Sequence, residues 1–500
     1  MLRLVRKICI AQGIDFMCTA QGWAGFNDST WEKGYAAFTD DKFHLSYGSE
    51  MPKYRTGHTW WLGQSSTHGL FDATMDTTYE NQYYQSEQGT DWNFESLKFP
   101  QVPDIEIVSR FKKSDRSLAI AAHPTSWWMQ ERGSIEKYVT NVACNLSFGL
   151  LSGKIWDGIV AMGYDHDHYF YQNLWFNILN QGYRMPAFSE LDGGLGKDDK
   201  FYYGSMRTYF QVGGNFTMDK MLQAATKGNS FHTSGPMIIA KIDDSLSYGD
   251  IIPADGKSHE LTIEVFASGE RDDYLSYVVL FRNGQVNKVW DVRAAKPRRF
   301  MDTIQLRENE KSWYIIKVYG KRAWNNPDFI DVMKVCEKNM DVERVEGQMD
   351  VAFTNPFYFR KGSDTDPAPL QSNIDLTLPG VKNAEIDILM AGESTRVINM
   401  KHGRARFAMP VNAVLKIVAK GHPVIYRSLY LDYLPHRALM EELANGKWRK
   451  NYRVKYNPGE VPWAAFNFDT TRNLLKNVKW KIEMKQNERD RQYATFPLPR

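Results

Sequence analysis

The chain has 500 residues, 43% of them hydrophobic and 24% charged, which describes a globular protein able to bury a sizeable core. Lys and Arg number 62 against 59 for Asp and Glu, and a net charge of +3 is too balanced to imply nucleic acid or a membrane surface as partner. Four scattered cysteines (Cys9, Cys18, Cys144 and Cys336) without a Cys-x-x-Cys exclude a zinc knuckle and a disulfide framework, and no apolar run is long enough to cross a bilayer.

The N-terminal MLRLVRKICIAQG lacks the apolar core of a signal peptide, so the compartment stays open. The spacing of Leu4, Val5 and Ile8 predicts a helix over 2–12, stopped by Gly13 and feeding a strand at 14–18. Strands are expected at 42–47 and in HTWWLG from His58, and a long irregular insertion at 65–99. Pro103 opens a helix to about 113; 117–122 is a small apolar strand ended by His123-Pro124; Ser134 caps a helix over 135–151. The apolar run 156–162 reads as a buried strand, followed by Tyr164-Asp165-His166-Asp167-His168. A helix fits 169–181, with Phe170, Leu174, Ile178 and Leu179 on one face and Gly182 as its stop. A strand at 186–191 delivers Asp192, and Thr217 and Gly228 bracket a helix over 217–227 before a last short strand at 231–233.

This alternation of helix and strand favours a mainly parallel sheet or a closed barrel over 1–236. From Met237 the pattern turns to alternating strands with an Asn283-Gly284 hairpin signal, a β-sandwich over 237–360. A linker, 361–371, leads to a small second β domain over 372–435 and a helical, basic tail over 436–500, whose Lys and Arg read as a solvated face.

Thr19 and Gln21, Glu50, His123, the 165–168 cluster and Asp192 all fall at strand exits, where βα proteins build their chemistry. Glu50, His58, His123 and Asp192 supply the imidazole and carboxylate mixture that a hydrolytic divalent metal (Zn, Mn or Fe) takes. His166, His168 and Trp127 are read as substrate contacts, and Arg184 and Arg207 as anchors for an anionic group of a small-molecule substrate. His232 reads as a packed strand residue. No G-x-S-x-G, H-E-x-x-H or P-loop is present, and Asp192-Gly193-Gly194-Leu195-Gly196 is no dinucleotide fingerprint.

Gly57-His58-Thr59, Ala122-His123-Pro124, the LWFNILNQGYRMPAFSELDGG block and SFHTSGP resemble the CehA/McbA-like branch of the PHP metallohydrolases, over roughly the first 360 residues. The resemblance implies a distorted (β/α)7 barrel, here lacking its first strand, and cleavage of a phosphoester, ester, amide or carbamate bond. It also implies that Glu50, His123 and Asp192 hold the metal and catalyse, with His58 as a further ligand. Departures accompany it. No His-x-His strand precedes Leu2, Thr-Asp-His is replaced by Thr19-Ala20-Gln21, and Asp-x-His by Asp192-Gly193-Gly194. These leave two expectations, a reading frame that starts upstream or a cup with an incomplete metal set.

Two rival functions follow from the same residues. One is a metal-depleted binding or scaffold protein. The other is a carbohydrate-active protein whose cleft is lined by Trp60-Trp61, Trp127-Trp128 and Tyr202-Tyr203, with Glu190/Asp192 and Asp165/Asp167 as acid pairs. Oligomeric state is not legible.

Overall fold

The structure is a computed structural model that describes residues 2–19, 33–46, 48, 59–63, 116–122, 155–163, 168–191, 206–269, 272–321, 350–362, 364–390, 393–429 and 475–485, with short pieces at 108, 112, 149–153, 204 and 472–473.

The N-terminal unit runs α1 (Leu2–Ala11), β1 (Phe16–Cys18), β2 (His44–Ser46), β3 (Thr59–Leu62), β4 (Leu118–Ala121), β5 (Gly158–Met162), α2 (His168–Asn180), β6 (Ala187–Ser189), β7 (Arg207–Phe210), α3 (Met218–Lys227) and β8 (Ser230–Thr233). Local chemistry sets its helices. α1 buries Val5 and Cys9 and gives way to Gly13 at φ +68°. In α3 the Thr217 side chain accepts from the Lys220 amide, and Gly228, left-handed at φ +79°, donates back to the Ala224 and Ala225 carbonyls. α2 buries Leu174, Trp175 and Ile178 completely, each worth about 1.5–3 kcal/mol of transfer free energy.

These strands do not form a (β/α)7 barrel. β1 and β2 make a separate parallel pair. In a second sheet β3 runs antiparallel to β4, while β4, β5 and β6 run parallel to one another. β7 and β8 pair antiparallel, and β8 continues into the sandwich through β16 (Val351–Thr354). The expected barrel is thus corrected to short, separate sheets in a strand-dominated chain. The physical reason is that an apolar run such as Gly158–Met162 reports burial, whereas barrel closure depends on which edges pair.

The middle unit adds β9 (Met237–Ile242), β10 (Ile251–Pro253), β11 (Ser258–Phe266), β12 (Leu275–Arg282), β13 (Gln285–Asp291), β14 (Arg299–Arg307), β15 (Ser312–Gly320), β16 and β17 (Phe357–Arg360). A large sheet ordered β10-β17-β15-β16-β8-β7, with β12 and β13 branching from β15, faces a small sheet ordered β14-β11-β9. Ile238, Ile263 and Val265 of the small sheet share a core with Val278, Leu280 and Ile316 of the large one. The opposite face of the large sheet carries Val279, Phe281, Trp313 and Ile315, which join α2 through Trp175 and Phe176 in a second core. Covered on both faces, β15 is buried throughout, while β9, covered on one, alternates exposed and buried. Asn283 and Gly284, at φ 51° and 81°, make the expected tight turn, and Asn283 Oδ1 accepts from the Trp313 amide at 2.9 Å.

The last unit is a seven-stranded arrangement of β18 (Gln371–Thr377), β19 (Asn383–Met390), β20 (Glu393–Lys401), β21 (Arg404–Pro410), β22 (Val414–Val418), β23 (Ile425–Ser428) and β24 (Asn477–Lys481). β24 comes from the segment expected to be a solvated basic tail, and it pairs parallel with β18.

Candidate functional site

The four proposed metal positions, Glu50, His58, His123 and Asp192, lie outside the described residues, as do His166 and Trp127. His168 begins α2, but its side chain is likewise outside them. Neighbouring backbone is described. β4, β5 and β6 are parallel, so Ala122, Gly163 and Leu191 leave at one sheet edge, and Thr59, paired with Ala121, lies at the same edge. Among the described residues no group of three His, Cys, Asp or Glu side chains could hold a metal.

The two arginines part company. Arg184 pairs with Asp366 at 3.1 Å, and the buried Arg360 meets the same carboxylate at 3.3 Å. Arg184 thereby ties the α2–β6 turn to the 361–371 linker. Arg207 instead lines a cavity of about 660 Å3 enclosed by β1, β2, β3, β6 and β7. Its Nε donates to the Gly204 carbonyl at 2.8 Å and one terminal nitrogen to the Gln12 carbonyl at 3.0 Å.

Aromatic rings form part of the cavity wall: Phe16, Trp60, Phe188, Phe210 and Phe216 all line it. His44 forms a three-ring cluster with Phe16 and Phe216, stacked on the first at 6.2 Å and tilted against the second at 5.3 Å, and its ring nitrogens bond to no described residue. Burial depresses the His44 pKa, so the ring is neutral at pH 7 and can donate and accept. Cys18 lies in the same wall; burial pushes its thiol up to about 11, which makes it a poor nucleophile at neutral pH. Sequence reasoning missed His44, Phe16 and Phe216. The signal for His44 was its place inside the short alternating stretch Phe43-His44-Leu45-Ser46.

Beside the cavity, His232 is fully buried and packed on Phe353. Asn355 Oδ1 accepts from the Ala187 amide at 2.7 Å, which turns its Nδ2 toward His232 Nε2 at 3.3 Å. Nε2 therefore accepts, and Nδ1 carries the proton toward Thr208 Oγ1 at 3.1 Å or Ser189 Oγ at 3.2 Å. Burial pulls its pKa down to about 3. With both nitrogens engaged, His232 is a structural residue, as its sequence context suggested.

No family model and no curated protein matches the chain. Among solved structures it is similar to the major pilin subunit of Bacillus cereus, at 12% identity over 51% of this chain and 72% of that one, TM-score 0.16. It is also similar to the human OSCAR ligand-binding domain, at 12% identity over 39% and 94%, TM-score 0.14. A third is the pilus backbone RrgB of Streptococcus pneumoniae, at 10% identity over 39% and 50%, TM-score 0.13. Scores this low transfer no function. The resemblance to the PHP metallohydrolases is corrected on two findings: the strands do not close a barrel, and no family model matches. The barrel-type hydrolase expected from it is withdrawn with it. No described helix is long and apolar enough to cross a membrane.

Proposed function

We propose that this chain is a binding protein whose N-terminal unit takes a small ligand with an apolar body and a polar end. One observation carries the reading. A cavity of about 660 Å3 combines packed aromatic rings with His44, whose nitrogens have no partner among the described residues, and with Arg207. Its size lies within the range of roughly 300–1,000 Å3 usual for organic ligands, and its wall offers both aromatic rings and polar groups to such a ligand.

The test uses 8-anilinonaphthalene-1-sulfonate, an aromatic anion, as probe. One saturable site is expected on the full chain, weakened at least tenfold by Phe216→Ser and by Arg207→Gln. Unsaturable binding, or binding indifferent to both substitutions, refutes the reading.

A second reading, metal-assisted hydrolysis of the bound ligand, has one supporting observation. The described residues next to His58, His123 and Asp192 in sequence, Thr59, Ala122 and Leu191, lie at one end of a single sheet. A Zn, Mn or Fe ion there would lower the pKa of a bound water. Elemental analysis of the purified chain decides it, and metal near zero after growth with all three ions excludes it.

A further inference from the structure

We propose that the ligand of this cavity is an extended polypeptide strand, added between the open edges of β1 and β7. The proposal rests on the binding reading above and names its ligand class. β1 has β2 as its only strand neighbour among the described residues, and β7 is the terminal strand of the large sheet. Every residue of both strands lines the cavity.

Both strands are half-buried along their whole length, whereas β4, β5 and β8 are buried throughout. Their half-burial shows that the residues of both strands reach the cavity surface. The hydrogen-bond register says which groups are turned outward. His44 donates to the Asp15 carbonyl at 2.8 Å and Thr19 donates to that of Ser46 at 3.1 Å, so odd-numbered residues of β1 bond β2 and Phe16 is turned away. Gln211 donates to the Asn229 carbonyl at 2.9 Å, so odd-numbered residues of β7 bond β8, and Thr208 and Phe210 are turned away. The Arg207 guanidinium donates to the carbonyl of Gln12, in the turn between α1 and β1, and so links the start of β7 to the segment that leads into β1.

β1 and β7 have three and four residues, so an added strand of about five residues spans both edges. Main-chain hydrogen bonds would hold it, and alternate side chains would enter the aromatic wall, the usual division of labour in strand addition. Asp15, Asp41 and Glu190 line the cavity with Lys42 and Arg207, while Asp40 is held by Arg6, so the wall carries both signs and can meet a polar side chain of either charge on the strand's polar side.

The probe is acetyl-Val-Lys-Val-Thr-Val-amide, compared with a twin N-methylated at its second and third residues, which face opposite edges. The full chain is used. The expected result is displacement of 8-anilinonaphthalene-1-sulfonate by the first peptide, with the twin at least tenfold weaker. In hydrogen exchange, read independently of the dye, the amides of Phe16, Thr208 and Phe210 gain protection with the first peptide only. Equal displacement by both peptides, or dye binding that neither peptide disturbs, overturns the strand while leaving the cavity as a binding site. Loss of dye binding in Phe216→Ser together with unchanged exchange at those amides overturns the strand in the same way.

Discussion

His232 makes the chain acid-sensitive in a calculable way. In the native state its imidazole is neutral, since burial holds its pKa near 3, while unfolded histidine titrates near 6.5. The pKa of a base is depressed on folding, so the unfolded chain binds the extra proton between those values. The stabilisation is therefore complete above about pH 6.5 and is lost progressively as pH falls toward 3. The slope is about 1.4 kcal/mol per pH unit, so moving from pH 6.5 to 5.0 removes about 2 kcal/mol from this group alone. Other histidines and the carboxylates add their own terms, and His232→Gln separates them because an amide can still bond Asn355 or Thr208 without titrating. The assay is urea unfolding of both proteins at pH 7.0, 6.0 and 5.0, following the transition that reports the N-terminal unit. The wild type should lose about 2 kcal/mol more than His232→Gln over that span. Parallel pH dependences of the two proteins would show that His232 is solvated or charged in the native state, and the buried network around it would be wrong.

Two further substitutions probe how the units are joined. Asn355→Ala strands the buried Ala187 amide and removes the partner of Ser230 Oγ and His232 Nε2, and should cost about 2–4 kcal/mol by urea unfolding. Gly249 and Gly284 both sit at positive φ, but a Cβ on Gly249 would lie 2.6 Å from the Lys227 carbonyl oxygen, whereas one on Gly284 meets only Phe176 Cβ at 3.5 Å. Gly284→Ala should therefore cost the left-handed penalty alone, about 1–2 kcal/mol, and Gly249→Ala clearly more, read as thermal midpoints of the purified variants.

Features decided by neighbours in sequence were legible. The caps of α3, the Asn283-Gly284 turn and the alternation of β9 follow from local backbone chemistry, and each is where the residues place it. Strand partners were not legible. Arg207–Phe210 carries no apolar alternation and was not expected as a strand, yet pairing with β8 makes it one. Asn477–Lys481 hid inside a basic tail because Lys479 and Lys481 face outward while Val478 and Trp480 pack against the last core. At the site, Arg207 was named and does line the cavity, whereas Arg184, of the same residue type and in a similarly aromatic context, went to a linker aspartate.

The pairing that defeats the barrel reading also makes the cavity. In a closed barrel each strand has two neighbours and no edge remains. Here β8 spends one edge on β16 of the sandwich and the other on β7, so the sheet that begins in the sandwich ends at β7. β6, whose Ser189 bonds the Thr208 hydroxyl, meets this sheet through side chains and not through a peptide ladder. β1 and β2, paired only with each other among the described residues, line the same cavity. The gap is bounded by two strand edges and floored by the aromatic rings of β3, β6 and the segment after β7. Filling the space with larger side chains would cover the rings but offer no peptide ladder to the outward groups of Phe16, Thr208 and Phe210, which have no strand partner among the described residues. Only a group carrying both donors and acceptors along an extended line meets both needs, and a polypeptide strand is such a group.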